Sequence, residues 1–324
     1  MGEAAMKIFI TGASGFVGGA AARAFAGNHE VLALSRSEKS DEAIRSAGAT
    51  PVRGDLASVN AAMLKDVDAV VHCAAKVETW GSMKEFWDIN VTGTEQLLKA
   101  ARAAGVKRFV HIGTEAALFH GQAMDDLDET APMAFDSPLP YPRTKAYAEK
   151  VVRGANGDGF TTIVLRPRFI WGPGDQTLLP ALKAMVDAGR FSWIDGGRAV
   201  TDTVHIYNVV EAIRLALSGG KGGEAYFITD GGAPISFREM MSKMARTAGF
   251  SLPDKNVPGW LARGAARMLD LVWRLSFRKT PPPLDPHTAA LMSRNCTLKI
   301  DKARRELGYT PVITREAGLA GLGA

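Results

Sequence analysis

The chain has 324 residues, 46% hydrophobic and 23% charged, which suits one large α/β unit or such a unit with a smaller cap. Its net charge of +5 and pI of about 9.2 are mild and spread along the chain. That balance fits an anionic ligand and, with no nucleic-acid motif present, argues against a nucleic-acid partner. Two cysteines, Cys73 and Cys296, and no cysteine–histidine cluster exclude a disulfide scaffold and a metal centre of that kind. The start, Met1 to Lys7, does not read as a secretion signal, and no run of about 18 apolar residues could span a membrane. The expected compartment is the cytoplasm.

Residues 8–10 read as the first strand, and Thr11-Gly12-Ala13-Ser14-Gly15-Phe16-Val17-Gly18 as a glycine turn opening a helix at 15–26. A strand, a glycine turn and a helix start form the usual seat of a dinucleotide pyrophosphate. Gly12 permits the turn, Gly15 lets backbone approach the phosphates, and Gly18 lets the helix pack close. Ser14, Phe16 and Val17 complete the stretch, whose free N–H groups favour an anion. Further strands are expected at 30–34, 50–53, 69–73, 108–112 and 161–165, with helices near 58–66, 84–104 and 142–157. This alternation predicts an α/β fold, a doubly wound parallel (Rossmann) sheet. Residues 1–166 would form the dinucleotide-binding domain. Residues 167–324 would form a mixed C-terminal substrate-binding cap, with some elements, such as 225–228, rejoining the sheet.

At the end of the second strand, where an acid would read the ribose of NAD, stand Ser35-Arg36-Ser37. A guanidinium there favours the 2′-phosphate of NADP, with NAD kept as the alternative. Asp55 and Leu56 follow the third strand, where a side chain can reach adenine. Ala74, Ala75 and Lys76 follow the fourth, where small residues let the backbone pass near the cofactor. Asn90 is a poor residue for the middle of a helix, which hints at a role for its amide. Thr114 ends the fifth strand. Tyr141 and Lys145, four apart, share one helix face. A nearby ammonium is expected to lower the phenol from its ordinary value of about 10.

Together with Leu165-Arg166-Pro167, Gly172-Pro173-Gly174-Asp175 and Leu307-Gly308-Tyr309, these stretches resemble the extended short-chain dehydrogenase/reductase family, within the NAD-dependent epimerase/dehydratase superfamily, over nearly the whole chain. The resemblance implies hydride transfer between NADP and a ketone or secondary alcohol. Tyr141 would be the acid/base, Lys145 its activator and a ribose ligand, Thr114 the group orienting the substrate oxygen, and Asn90 the support of a water feeding the lysine. Pro167 would also border the cofactor.

The stretches Lys76-Val77-Glu78-Thr79-Trp80-Gly81 and Gly113-Thr114-Glu115-Ala116 look like the 3β-hydroxysteroid dehydrogenase branch and its β-keto-acid reductase relatives. A hydrophobic, steroid-like or β-keto acid substrate is therefore expected, lined by Trp80, Glu115, Phe169, Trp171 and Trp193. The alternative is a nucleotide-sugar epimerase or dehydratase with tightly held NAD(P). It is weakened because Thr201 stands where an arginine is usual and Phe169 where many sugar epimerases have asparagine; Arg168 or Arg198 could substitute for the missing cation. Residues 260–279 read as an amphipathic basic helix able to touch a membrane surface. Helices 84–104 and 142–157 offer a face for a homodimer.

Overall fold

The computed structural model describes residues 4–78, 80–276 and 280–322. Seven strands form one parallel sheet: β1 (Lys7–Thr11), β2 (Glu30–Ser35), β3 (Thr50–Arg53), β4 (Ala69–His72), β5 (Arg108–Ile112), β6 (Thr161–Pro167) and β7 (Glu224–Ile228). Their spatial order is β7-β6-β5-β4-β1-β2-β3. The order reverses beside β1, and the crevice at such a point, at the carboxyl ends of the strands, is where α/β sheets bind ligands. Buried on both faces, the strands are near-continuous apolar runs such as Ile8-Phe9-Ile10 and Ile163-Val164-Leu165.

Helix α1 (Phe16–Phe25) follows β1, α2 (Glu38–Ser46) follows β2, and α3 (Met83–Trp87) follows β4. The expected helix at 84–104 is broken by a wide π-type turn at Asp88–Thr92 before α4 (Gly93–Ala103) resumes. The segment at 58–66 forms only a 3-10 turn, Ala61–Leu64, capped by Asn60. Helix α2 has no counterpart in the pattern reading: its mean hydropathy is low and Ser37 caps it by accepting from the Ser40 N–H. Helix α5 (Pro140–Gly154) carries Tyr141 and Lys145, starts with proline in its first turn, and packs against α4 on one face of the sheet.

Beyond β6 come α6 (Leu178–Asp187), α7 (Ile206–Ser218), α8 (Phe237–Thr247), α9 (Gly259–Leu275), α10 (Pro286–Ser293) and α11 (Arg315–Gly321). The two halves of the chain interlock. Strand β7 pairs with β6, and α7 packs on α1. A small second sheet joins Met124–Leu127, from before α5, to Cys296–Leu298, Val200–Thr201 and Ile235–Ser236. The cap has its own core of Trp171, Phe191, Trp193, Phe237 and three methionines of α8.

Candidate active site

The glycine turn meets the demands read from its spacing. Gly12 has φ +74°, and a Cβ there would lie 2.8 Å from the Ala74 nitrogen. A Cβ on Gly18 would collide with the Gly12 carbonyl oxygen, so any side chain would push α1 off the turn. Gly15 caps α1 without a side chain and is exposed, as is Ser14, which leaves the first N–H groups of the helix facing outward. Phe16 and Val17 are half-buried at the helix start. A dinucleotide pyrophosphate fits this cradle.

The backbone after β4 is fixed by a chain of hydrogen bonds. The Ala74 N–H donates to the Thr11 hydroxyl (3.1 Å), and Thr11 Oγ1 lies 2.7 Å from His72 Nδ1. His72 Nε2 lies 2.9 Å from the hydroxyl of Thr94, which itself donates to the Asn90 carbonyl (2.7 Å). Thr94 has spent its proton, so Nε2 is the donor and Nδ1 accepts from Thr11. Burial holds His72 at a pKa of about 3, so the ring stays neutral throughout. The Asn90 amide is fully engaged within the protein. Its Oδ1 accepts the Lys76 N–H (2.7 Å), and its two Nδ2 protons go to the Lys76 carbonyl and the Thr144 hydroxyl, both at 3.1 Å. The π-type turn thus ties the cofactor-side loop to α5. The Lys76 ammonium turns to Glu78 (3.4 Å) and the Phe86 ring. Ala75 beside it is half-buried.

At the far end, Arg36 is exposed and makes no hydrogen bond or ion pair among the described residues. Ser35 turns inward to Asp41, and Ser37 caps α2, so the guanidinium is the part of the triplet left for a ligand. Arg36 also helps lower the Asp55 carboxyl, although hydrogen bonds from Ser58 do more. Leu56 packs under Gly93, and Pro167 ends β6, buried opposite Ile228.

Tyr141 and Lys145 sit at the carboxyl ends of β5 and β6, and the phenol lies above its ordinary value, not below it as expected. Lys145 Nζ is buried and donates to the Ile112 carbonyl (2.9 Å). Burial brings its pKa down to about 8, opposed by the Glu149 carboxylate one turn on. Glu149 is in turn gripped by both Nε and Nη2 of buried Arg166 (2.8 and 2.5 Å). Tyr141 is held above the ordinary phenol value by burial and then by the Glu115 carboxylate, with the neighbouring Thr114 hydroxyl pulling the other way. The phenol is therefore a neutral, proton-bearing group at physiological pH. Thr114 donates to Glu115 Oε2 (2.9 Å) and accepts the Ala116 N–H (3.2 Å), capping a short 3-10 turn at Glu115–Leu118.

Glu115 and Arg168 form a buried ion pair of 2.6 Å, and Arg168 Nε donates to Thr201 (3.0 Å). This pairing removes Arg168 as a substitute for the missing pyrophosphate ligand. From the cap, His287 at the start of α10 stacks on the Tyr141 ring (centroids 5.6 Å, 28°). It also lies 6.0 Å from the Phe119 ring. The pattern reading missed His287, which comes from a turn-rich stretch behind Pro281-Pro282-Pro283. The available signal was Asp285-Pro286, a cap and first-turn proline that mark a helix start.

The expected aromatic lining is corrected. Trp171 and Trp193 are fully buried in the cap core. Trp171 donates its indole N–H to Asp230 (3.2 Å), and Trp193 packs edge-on against Phe191. Phe169 packs edge-on against Phe237. Trp80 is half-buried and donates to Asp270 on α9 (2.9 Å), with the Arg274 guanidinium over its ring; Thr79 lies outside the described residues. The helix expected at 260–279 is α9. Its small residues Gly259, Ala262 and Ala266 face the protein, while Trp260, Met268, Leu271 and Leu275 are exposed. Arg278 and Lys279 lie outside the described residues.

Residues 8–229 match the NAD dependent epimerase/dehydratase family, and the chain belongs to it. It is 41% identical over 322 residues, 98% of this chain and 96% of the relative, to the 4-hydroxy-2-methyl-3-oxo-4-farnesyl-3,4-dihydroquinoline-1-oxide ketoreductase of Stigmatella aurantiaca. It is 35% identical over 98% of its length, and 99% of the relative's, to the 2-alkyl-3-oxoalkanoate reductase of Stenotrophomonas maltophilia. Its fold superposes on the dTDP-glucose 4,6-dehydratase DesIV of Streptomyces venezuelae with a TM-score of 0.74, at 24% identity, covering 98% of this chain and 96% of that one. Among the described residues no group of side chains has the make-up of a metal site, and no helix is long and apolar enough to cross a membrane.

Proposed function

We propose that the chain is an NADP-linked ketoreductase that interconverts a ketone and a secondary alcohol on a hydrophobic substrate. The observation that carries this reading is the neutral phenol of Tyr141, beside the Thr114 hydroxyl at the sheet edge that also bears the glycine turn. Two relatives named as reductases of 3-oxo compounds, each aligned over nearly the whole chain, support it.

In this reading the turn at Gly12–Gly18 holds the pyrophosphate and Arg36 the 2′-phosphate. Lys145, cationic below about pH 8, holds the ribose beside the nicotinamide. The reduced nicotinamide, when bound, supplies the hydride. Tyr141 gives its proton to the substrate oxygen as that oxygen gains negative charge, and the raised pKa of the phenol keeps this proton available at neutral pH. The Thr114 hydroxyl turns from Glu115 toward the same oxygen. Glu115, paired with Arg168, raises the phenol without being free to act as a base itself. The sugar-nucleotide alternative loses support because Arg168 is engaged inside the protein.

Two partner assignments belong to the same proposal. The exposed apolar face of α9, flanked by Arg267, supports contact with a membrane surface, the source of a lipid-like substrate. Co-sedimentation with anionic liposomes should be lost when Trp260 and Leu271 are both replaced by serine. The half-buried pair Trp87 and Tyr147, with exposed Ile89, supports the stretch from α3 through the π-type turn to α4, together with α5, as the face of a homodimer.

The test is a screen of NADPH and NADH oxidation across steroids, β-keto acids, simple ketones and nucleotide sugars, read by loss of reduced-nicotinamide absorbance. Turnover of apolar ketones with NADPH is expected. Turnover of a nucleotide sugar alone, with no net change in the cofactor, would replace this reading with the epimerase or dehydratase one.

A further inference from the structure

Beside Tyr141 lies a narrow cavity whose walls are mostly apolar, including Ala116, Phe119, Met124 and Leu291. Its volume is about 10 Å³, room for roughly one water. It is too small for a ring system or an alkyl chain, and the right size for the polar tip of a larger molecule.

Two polar groups line this space without partners, and the His287 tautomer with its proton on Nδ1 would make both of them donors. His287 is 95% buried (5% exposed), and its Nδ1 has no hydrogen-bond partner. Arg294 Nε is buried and unpartnered, and the guanidinium forms no ion pair among the described residues. The other cation at the cavity, Arg168, is already neutralised by Glu115. The corner therefore holds the buried, unpartnered Nε of a half-buried guanidinium and one unsatisfied imidazole nitrogen within largely apolar walls. Buried donors left unpaired cost free energy that a ligand oxygen would recover. An acceptor carrying negative charge satisfies both groups.

We infer that Arg294 and His287 read an anionic oxygen of the substrate, attached close to the ketone that Tyr141 protonates. His287 holds both ends of this geometry, its ring stacked on Tyr141 and its Nδ1 in the corner. The apolar remainder of the substrate then lies outside this cavity. The inference rests on the ketoreductase reading and narrows it, since a neutral sterol would leave both donors unsatisfied.

The experiment uses the full-length protein and three stable alcohols, assayed in the oxidative direction with NADP: 3-hydroxydecanoate, its methyl ester, and 2-nonanol, which lacks the carboxylate. The wild type is expected to show a KM for the acid at least tenfold below that for the ester. Arg294→Leu should raise the KM for the acid about tenfold and leave ester and 2-nonanol within about twofold. Arg294→Lys should recover part of the loss. Equal KM values for acid and ester in the wild type, or an equal loss on all three in the variant, would overturn the inference. Melting temperatures of both variants report whether the fold is intact.

Calorimetric binding of 3-hydroxydecanoate to wild type and Arg294→Leu separates this inference from the reading beneath it. Binding that depends on Arg294 without turnover of any of the three alcohols keeps the anion corner and refutes the ketoreductase reading for this class. Turnover with acid binding indifferent to Arg294 keeps the ketoreductase reading and refutes the corner.

Discussion

Replacing Glu115 by glutamine tests the site's electrostatics in two readouts. Glu115 and Arg168 are 4% and 2% exposed and their charged atoms are 2.6 Å apart. Removing one partner of a buried pair leaves an uncompensated charge, a loss of about 3–5 kcal/mol. Glutamine keeps the shape and one acceptor toward Arg168, so the lower end, about 3 kcal/mol, is expected. In a chain of this size about 2 °C accompany each kcal/mol, so the melting temperature should fall by about 6 °C. The double variant Glu115→Gln/Arg168→Met should regain much of that loss, because no buried charge remains. The second readout is the phenol. Glu115 helps raise the Tyr141 pKa, so its neutralisation should lower that pKa. Ketone reduction needs the protonated phenol, so the alkaline limb of the kcat/KM profile should move to lower pH. A melting temperature within 1 °C of wild type, or single-variant losses that simply add in the double variant, would show that the pair is not coupled as described.

Tyr141→Phe should lower kcat by about 10²–10⁴-fold, the usual contribution of a positioned acid, while NADPH binding measured by fluorescence stays within about twofold. Arg36→Ala should weaken NADPH far more than NADH in the same titration; equal losses would remove the NADP preference. Lys145→Met should change the pH dependence of stability. The wild-type ammonium drops from 10.5 in the unfolded chain to about 8 in the folded one. Between those values the unfolded chain binds a proton that the native chain does not, so native stability rises with pH by about 3 kcal/mol. Below pH 8 that gain is absent. Urea unfolding from pH 7.5 to 10 should therefore show wild-type stability rising relative to Lys145→Met, and a pH-independent difference would refute the assignment.

Much of the sheet was legible because doubly buried strands leave short apolar runs bounded by glycine and charged residues. The glycine turn was equally legible, since the close approach of Gly18 to the Gly12 carbonyl leaves no alternative residue. What pattern could not supply was direction. Trp171 and Trp193 stand after strands where ligands bind, yet their rings turn into the cap core. Asn90 did mark an irregularity in its helix, but only the three-dimensional path of Lys76 shows where its amide goes. Tyr141 and Lys145 are four apart on one helix, and this spacing suggested a direct electrostatic link. The lysine side chain instead reaches the end of β5, while the charge acting on the phenol comes from Glu115, a neighbour made by folding. His287 and Arg294 escaped the pattern for the same reason, since Tyr141 and most of the cavity they border lie far from them in sequence.

The wall around Tyr141 is assembled from opposite ends of the polypeptide. The glycine turn follows the first strand, but α10 and the strand Cys296–Leu298, which seats against Met124–Leu127, come more than a hundred residues after Tyr141. A nascent or C-terminally clipped chain would thus present a working seat for the dinucleotide and a bare proton donor open to water. Selectivity for what is reduced would be acquired only once this later segment has folded, so that partial chains compete for nucleotide without competing for substrate.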